Sequence, residues 1–452
     1  MMILKRNLRH HGFLILFCIF LPLVLGWVGV RSGVDFPVYY RATQNFFHHR
    51  GPVYGPRSGL GWPMYFRYPP LFLFIFGPLR KLPYDWSAGI WAAGKALLLL
   101  WLIRRFWLVW GPGQMTPCEK EGSTLPAAQP RPARLLHYWR LILIPLLLCA
   151  TYFLVELRYG NVQFYIFGLT AAALLLLAQR RRRWPWLSAF FLGLAIAIKV
   201  WPLFFLPFLW LRGARKQALG ALLFTALLTL LPGLFWSWHG NWLLLRQWFW
   251  QEWGTASRVG MLWYPSQALR GMLTRYLTTA HIPGYPKVGL AHWPAARVRL
   301  LWLAMEACAY AGWLWLAARK RAAAHWNHAG NGIINPRQEM LIAAIGWSLL
   351  PLLAPFTHVE DLCVLLWPAW VAGAWLQWDL PPSRSRRLIW TAALLAGFLP
   401  LVPGHAAQRW LQAAGADFWV TLLLCAGLLA AWGEFQARAA NCKNSAITSI
   451  PR

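Results

Sequence analysis

The chain has 452 residues, of which 58% are hydrophobic and 13% charged, and its mean hydropathy is +0.42. Forty-four Lys and Arg outweigh thirteen Asp and Glu, which gives a net charge of +31. Several apolar stretches approach the ~20 residues that cross a bilayer, so we predict a polytopic helical membrane protein rather than a soluble one. The basic charge is typical of cytoplasmic loops and of contact with membrane lipids, so we expect no nucleic-acid partner.

We predict one all-α integral membrane domain over residues 1–452, with about 12 (10–13) transmembrane helices and both termini in the cytoplasm. The first span, near 11–30, leads to a first outer loop at 31–85. A cytoplasmic loop at 106–138 and a second outer loop at 237–297 separate later spans. Those spans cover approximately 86–103, 140–157, 162–179, 184–198, 200–211, 217–236, 298–318, 339–356, 362–378, 389–402 and 417–436.

The first outer loop holds Asp35, just past the first span in a chain that is poor in acids. A carboxylate at a membrane surface is costly unless it has a partner or a task. In this place it can take a proton from a bound hydroxyl as a new bond forms, which makes Asp35 the candidate general base. The alternative is that Asp35 caps a helix beginning near Pro37, since Asp favours the N-cap and Pro the first turn.

The same loop contains a short apolar segment from Tyr68 to Leu79, bracketed by prolines. It is too short to span comfortably, so we predict a helix that dips into the membrane and lines a cavity. Arg67 precedes this segment, and Arg270 lies in the second outer loop. Both arginines suit bidentate phosphate recognition, with an ordinary surface charge as the alternative.

Two later cationic side chains also lie at span ends. Lys199 ends an apolar run and is a candidate for neutralising a phosphate, the alternative being that it snorkels to the interface. His358 lies in an outward turn with Glu360 and Asp361. The histidine is a candidate phosphate ligand and either acid an alternative base, while a plain surface turn is the other interpretation.

The outer end of the third span carries the amides Asn161 and Gln163. Such side chains at a membrane edge either bind a substrate or satisfy each other between helices. The seven Cys show no paired spacing, and no nucleotide-binding or zinc-binding motif is present. We therefore expect no metal and no cofactor.

Several ordered patches resemble the GT-C superfamily of membrane glycosyltransferases, and within it glycosyltransferase family 87. The patches are Asp35-Phe36-Pro37-Val38-Tyr39-Tyr40 with Pro52-Val53-Tyr54, Tyr68-Pro69-Pro70-Leu71 through Pro78-Leu79, Gly160-Asn161-Val162-Gln163, and Gly193-Leu194-Ala195 through Lys199-Val200-Trp201-Pro202-Leu203. A weaker fifth patch covers 265–271 with Arg275, and the Thr357-His358 turn extends the resemblance.

The resemblance implies a GT-C-like fold with membrane-embedded outer loops and an inverting hexosyltransferase without nucleotide or tightly held metal. A hexose, mannose-like, would move from a polyprenyl-phosphate sugar to a lipid or glycan hydroxyl at the outer, periplasmic face of the cytoplasmic membrane. Asp35 would be the general base. The donor phosphate and substrate would be bound by Lys199, His358, Arg67, Tyr68, Asn161, Gln163 and Arg270.

Two other functions stay open. A lipid-linked glycan ligase or polymerase also uses outer Arg and His residues, but it relies on a large late outer loop, whereas the motifs here begin early. A lipid or sugar transporter without chemistry predicts charges deep within spans. We place only Lys95, Lys199 and Glu306 there, which disfavours this alternative, and we assign Glu156 to the outer end of the third span.

Overall fold

The computed structural model describes eight stretches of the chain, namely 20–30, 33–55, 64–110, 139–178, 185–256, 265–319, 336–377 and 383–448. Within these stretches the regular structure is helical and contains no strand, which confirms the all-α prediction. The predicted N-terminal part of the first span, most of the cytoplasmic loop at 106–138 and the four arginines at 180–183 lie outside the described residues.

The helices are numbered in chain order. They are α1 Phe20–Val30, α2 Phe36–His48, α3 Leu71–Phe76, α4 Tyr84–Trp110, α5 Arg140–Tyr159, α6 Gln163–Ala178, α7 Pro185–Ile198, α8 Leu206–Leu211, α9 Arg215–Leu230, α10 Pro232–Phe235, α11 Trp238–Ala256, α12 Leu269–Leu277, α13 Ala295–Ala318, α14 Pro336–Leu353, α15 Leu366–Gln377, α16 Arg384–Phe398, α17 His405–Ala413 and α18 Ala416–Thr448. Short 3₁₀ turns cover Leu79–Lys81, Trp201–Phe205, Glu360–Leu365 and Leu399–Leu401.

Among the described residues, five helical segments are long and apolar enough to cross a membrane. They are Tyr84–Leu108, Arg140–Tyr159, Arg215–Phe235, Ala295–Ala318 and Ala416–Arg438. The protein is therefore a helical membrane protein, but the predicted count of about twelve spans is not confirmed. Helices α6 and α7 have 16 and 14 residues. At 1.5 Å per residue both fall short of the ~30 Å hydrocarbon core, although both are strongly apolar.

The described residues form two compact units. The first comprises those of Met1–Arg105, Phe153–Trp210 and Ala214–Ser257, and the second those of Phe106–Tyr152, Leu211–Gly213 and Arg258–Arg452.

In the first unit, α7 packs against both α6 and α9. Gly193 permits the close approach to α9, because a Cβ there would lie 2.7 Å from the Phe224 Cβ and 2.8 Å from the Ala221 carbonyl oxygen. Ser188 ties α7 to α6 by donating to the Ala173 carbonyl at 2.9 Å. Small residues and inward hydroxyls are the usual means of packing helices in a membrane. The result is a rigid frame for the start of α6 and the end of α7.

A buried aromatic cluster lies beside this frame in the first unit. Its rings belong to Phe36, Tyr39, Tyr68, Phe72, Phe76 and Trp91. The segment predicted to dip into the membrane forms the six-residue helix α3, which follows Pro70 and ends before Pro78. Its membrane depth stays a prediction. The cluster packs α3 against α2, with ring centroids of Tyr39 and Phe72 5.1 Å apart at near right angles.

In the second unit, α14 packs against α13, α15 and α18, and α16 packs against α18. Buried indoles hold these helices together by donating to polar groups of their neighbours. Trp313 donates to the Ile342 carbonyl at 2.9 Å, and Trp367 donates to the Met340 carbonyl at 3.1 Å. Each indole thus buries a large ring and still satisfies its N–H group.

Candidate active site

Asp35 lies between α1 and α2 in the first unit and is partly buried. It occupies the N-cap position of α2, but its side chain makes no capping hydrogen bond. Its backbone is held instead, because the N–H groups of Val34 and Asp35 both donate to the Tyr159 carbonyl, at 2.9 and 2.7 Å. The prediction of a helix start near Pro37 is therefore confirmed, but the Asp35 carboxylate makes no hydrogen bond that caps this helix.

The carboxylate of Asp35 accepts a hydrogen bond from Asn161. The distance from Asn161 Nδ2 to Asp35 Oδ2 is 2.9 Å. The other end of the same amide, Oδ1, accepts from the backbone N–H of Gln163 at 3.0 Å. The Asn161 side chain is fixed by both bonds, since its acceptor caps the start of α6 and its donor is left facing the carboxylate.

Gly160 lets the chain turn between α5 and α6 so that Asn161 reaches Asp35. Its φ is +70°, and a Cβ at this position would lie 2.7 Å from the Phe36 Cβ. Trp91 of α4 fixes the same turn by donating from Nε1 to the Gly160 carbonyl at 2.9 Å. Backbone conformation and close approach both require glycine here.

Gln163 connects this turn to Lys199. Its Oε1 accepts from Lys199 Nζ at 2.8 Å and from Trp201 Nε1 at 3.3 Å. Lys199 follows the last residue of α7, and its own N–H still donates to the Ala195 carbonyl. Four of the predicted site residues, from three separate segments, are thus joined by one run of hydrogen bonds: Asp35, Asn161, Gln163 and Lys199.

Tyr68 belongs to the buried aromatic cluster beside these four residues. Sequence reasoning missed its partner, Tyr39. The two hydroxyl oxygens are 3.0 Å apart, and both residues are buried. Burial raises the pKa of Tyr39 well above its usual range, and the nearby Tyr68 and Asp35 raise it further. Tyr39 therefore stays a neutral hydroxyl beside the carboxylate. The available signal was its position four residues after Asp35, one helical turn along α2.

Arg67 makes a bidentate ion pair with Glu252 of α11. Its Nε lies 3.1 Å from Oε1 and its Nη2 lies 2.8 Å from Oε2, with about a quarter of each side chain exposed. Gln251 strengthens the contact by donating to the Phe66 carbonyl at 2.7 Å. The pair anchors α11 to the irregular segment before α3, and a phosphate-binding role for Arg67 stays a prediction.

The remaining predicted site residues belong to the second unit. The guanidinium of Arg270 lies 5.1 Å from the centroid of a Trp302 ring. Burial and the neighbouring Arg299 lower its pKa, which still leaves an arginine charged at neutral pH. A cation placed over an indole in this way is stabilised by the ring quadrupole.

His358, Glu360 and Asp361 form a compact turn in that unit. The backbone N–H of His358 donates to Asp361 Oδ2 at 3.0 Å, and its Nδ1 lies 3.6 Å from Glu360 Oε1. The turn is not a plain surface turn, because Glu360 is buried and both His358 and Asp361 are half-buried. Its acids and histidine stay candidates for substrate contact.

A neighbouring junction of the second unit explains the fifth sequence patch. Ser266 Oγ accepts from the Thr357 N–H at 3.0 Å, and Gln267 N–H donates to the Thr357 carbonyl at 2.8 Å. Buried Arg275 donates to the Ser266 and Ala413 carbonyls at 2.7 and 3.0 Å. Burial lowers the pKa of Arg275 to about 10, so it remains a cation at neutral pH. These residues lock the His358 turn in place.

One charged pair differs from the sequence prediction. Glu156, assigned to an outer span end, is fully buried in the last turn of α5, where Oε2 lies 3.0 Å from Lys95 Nζ of α4. The sequence did not predict this burial, because the partner that lets the acid remain inside lies on another helix. Within the described stretches, no group of three or more His, Cys, Asp or Glu is arranged to hold a metal ion.

Comparison with known proteins places these residues in a family. A family model described as glycosyltransferase family 87 matches residues 66–334, a range that includes Asn161, Gln163, Lys199 and Arg270 and begins after Asp35. No solved structure matches the chain.

A curated relative is 30% identical over 175 residues. It is the polyprenol-phosphate-mannose-dependent alpha-(1-2)-phosphatidylinositol mannoside mannosyltransferase of Mycobacterium tuberculosis. The similarity covers 39% of this chain and 38% of the length of that protein. Because the family model covers more than half of the sequence, the chain belongs to glycosyltransferase family 87.

Proposed function

We propose that the protein is an inverting hexosyltransferase that uses a polyprenyl-phosphate sugar, mannose-like, and a lipid or glycan hydroxyl as acceptor. The observation that carries the proposal is the Asp35 carboxylate held by Asn161 at 2.9 Å. Family membership supports glycosyl transfer, and the relative's name supports a polyprenyl-phosphate donor.

In the proposed reaction, Asp35 accepts the proton of the acceptor hydroxyl while that oxygen attacks the anomeric carbon. The bond between the anomeric carbon and the phosphate oxygen breaks, and its electron pair leaves with the polyprenyl phosphate. Inversion follows from attack opposite the leaving group. Asn161 orients the carboxylate for this proton transfer.

The leaving phosphate gains negative charge and needs a fixed cation. Lys199 is the best-supported candidate, because it belongs to the same hydrogen-bonded set as Asp35 through Gln163. A preorganised ammonium stabilises such developing charge without reorganising at the moment of reaction. His358 and Arg270 are further candidates for the donor phosphate or the acceptor.

We further propose that the reaction takes place at the outer face of the cytoplasmic membrane, without nucleotide and without a tightly held metal. The transporter alternative predicted charges within spans. Lys95 and Glu156 are two such charges, since both are buried in helices long enough to cross a membrane. The two side chains nevertheless form an ion pair with each other, which favours a structural role over translocation of a lipid or sugar.

The test is sugar transfer by purified protein in nanodiscs, with synthetic polyprenyl-phosphate sugars and a panel of lipid and glycan acceptors. Asp35→Asn is expected to lower kcat by about 10²–10⁴-fold, the contribution typical of a general base. Asp85→Asn, which makes the same chemical change at an exposed position in the first turn of α4, is the matched control. Equal rates for wild type and Asp35→Asn would transfer the role of base to Glu360 or Asp361. Added EDTA is expected to leave the rate unchanged.

A further inference from the structure

The Lys95–Glu156 ion pair is buried within two helices that are long and apolar enough to span a membrane. Both side chains are fully inaccessible, and the Nζ–Oε2 distance is 3.0 Å. Burying two charges costs desolvation energy that their attraction often only offsets, so such a pair is weak evidence of a stabilising role. The contacts that the pair makes with the rest of the fold therefore say more about its role than its contribution to stability does.

Glu156 forms hydrogen bonds to both ends of the turn that contains Asn161. Its second carboxylate oxygen, Oε1, accepts from the backbone N–H of Phe164 at 3.1 Å. Its carbonyl accepts from the N–H groups of Gly160 and Asn161, at 3.1 and 3.3 Å. The same residue thus closes the end of α5 and caps the start of α6, where a negative charge is also favoured by the helix dipole.

Lys95 completes this arrangement from α4. Its ammonium lies 3.5 Å from the Glu156 carbonyl oxygen as well as 3.0 Å from the carboxylate. One turn earlier on α4, Trp91 holds the Gly160 carbonyl. Two side chains of α4 therefore hold the turn, Trp91 at the Gly160 carbonyl and Lys95 at Glu156. We expect the orientation of the Asn161 amide to depend on both contacts.

We infer that Lys95 and Glu156 are positioning residues for the base, which act by fixing the turn from Gly160 to Gln163 so that Asn161 meets Asp35. This inference rests on the proposed function only for its effect on turnover. Glu156 bonds directly to the turn that carries Asn161 and Lys95 bonds to Glu156, so both residues affect Asp35 through Asn161. A small displacement of the amide is expected to reduce the rate strongly, since misplacement of about 1 Å can cost 10²-fold.

The test compares Glu156→Gln, Lys95→Met and the double variant in nanodiscs. Each single variant leaves one buried charge without its partner and is expected to lower kcat about 10²-fold with little change in the donor KM. The double variant removes both charges while the Gln carbonyl can still accept from Phe164. We expect it to recover to within about tenfold of wild type, a coupling that a double-mutant cycle measures.

Hydrogen exchange gives a second measurement that does not depend on activity. Amides of 160–165 are expected to exchange faster in Glu156→Gln than in wild type, and to regain protection in the double variant. In an Asn161→Ala background, Glu156→Gln should lower turnover no further while still lowering the Tm. That combination separates positioning from a general loss of stability.

Glu339→Gln is the matched control. Glu339 is paired with Arg212 in the second unit, where Arg212 Nε lies 2.8 Å from Oε2. The inference is overturned if Glu156→Gln loses no more turnover than Glu339→Gln, or if exchange at 160–165 is unchanged. If the wild type transfers no sugar from any donor, the proposed function fails, and the exchange data alone decide whether the pair fixes the turn.

Discussion

At the scale of single residues, the site depends on how one carboxylate is oriented. Asp35 accepts from Asn161, and the Asn161 amide is locked by the backbone of Gln163. An asparagine held in this way fixes the orientation of the carboxylate. Tyr39 stays a neutral hydroxyl near the same carboxylate, because burial and the nearby Tyr68 and Asp35 all raise its pKa.

Asn161→Ala is expected to lower kcat by about 10²-fold while leaving the donor KM within a few-fold, because it misorients the base rather than removing a binding contact. Initial rates over a range of donor concentrations measure both parameters. Asn241→Ala serves as control, since it removes a comparable buried amide that donates to the Thr229 carbonyl at 3.1 Å. A fall in kcat no larger than that of the control would remove Asn161 from the mechanism.

At the scale of helices, the candidate site depends on the junction between α5 and α6, because this junction places Asn161 against Asp35. Gly160 supplies a left-handed turn against Phe36, and Trp91 and Glu156 hold its two sides. The two short, apolar helices α6 and α7 then present Gln163 and Lys199 at the same level. A helix end with all of its polar groups satisfied is a rigid place from which to present a functional side chain.

Gly160→Ala is expected to destabilise the protein and to reduce transfer. A non-glycine residue in the left-handed region costs about 1–2 kcal/mol, and the added methyl would also displace Phe36, which precedes Pro37 at the start of α2. Thermal unfolding in detergent and initial rates are the measurements.

Gly312→Ala is the control for this substitution, because an added Cβ in the middle of α13 meets nothing within 4 Å. There Ala is favoured over Gly by about 1 kcal/mol in a helix interior, so the Tm is expected to stay or rise. An unchanged Tm and rate for Gly160→Ala would show that the turn tolerates a side chain and does not depend on glycine.

At the scale of the whole molecule, charge distribution and apolar helices together predict how the chain meets the membrane. The described stretches hold five apolar helices of spanning length, and the net charge of +31 suits retention of basic segments on the cytoplasmic side. The proposed outer position of Asp35 depends on this rule, and so does the access of a polyprenyl-phosphate sugar to the base.

Reporter fusions test that orientation. A C-terminal green fluorescent protein is expected to fluoresce, and alkaline phosphatase inserted after Gly51 is expected to be active, because the phosphatase matures only outside the cytoplasm. Gly51 is exposed at the end of α2, where an insertion is best tolerated. The same phosphatase at the C-terminus should be inactive. The reverse pattern would place Asp35 on the cytoplasmic side and contradict the proposed donor access.

The sequence by itself determined the class of protein and most of the residues that meet at the site. Apolar runs and proline spacing are local properties, and they predicted an all-helical membrane protein, a short helix after Tyr68 and a helix start beside Asp35. The ordered patches also indicated the family that the comparisons show.

Only the tertiary structure decided which of these residues act together. Asp35 and Asn161 are 126 positions apart, and Lys95 and Glu156 are 61 apart, so no local pattern links them. The partner on α4 also buries Glu156, which the sequence alone placed at the outer end of a span. Hydrogen bonds between distant segments form only once packing has brought those segments together, which is why the list of residues was predictable and their pairing was not.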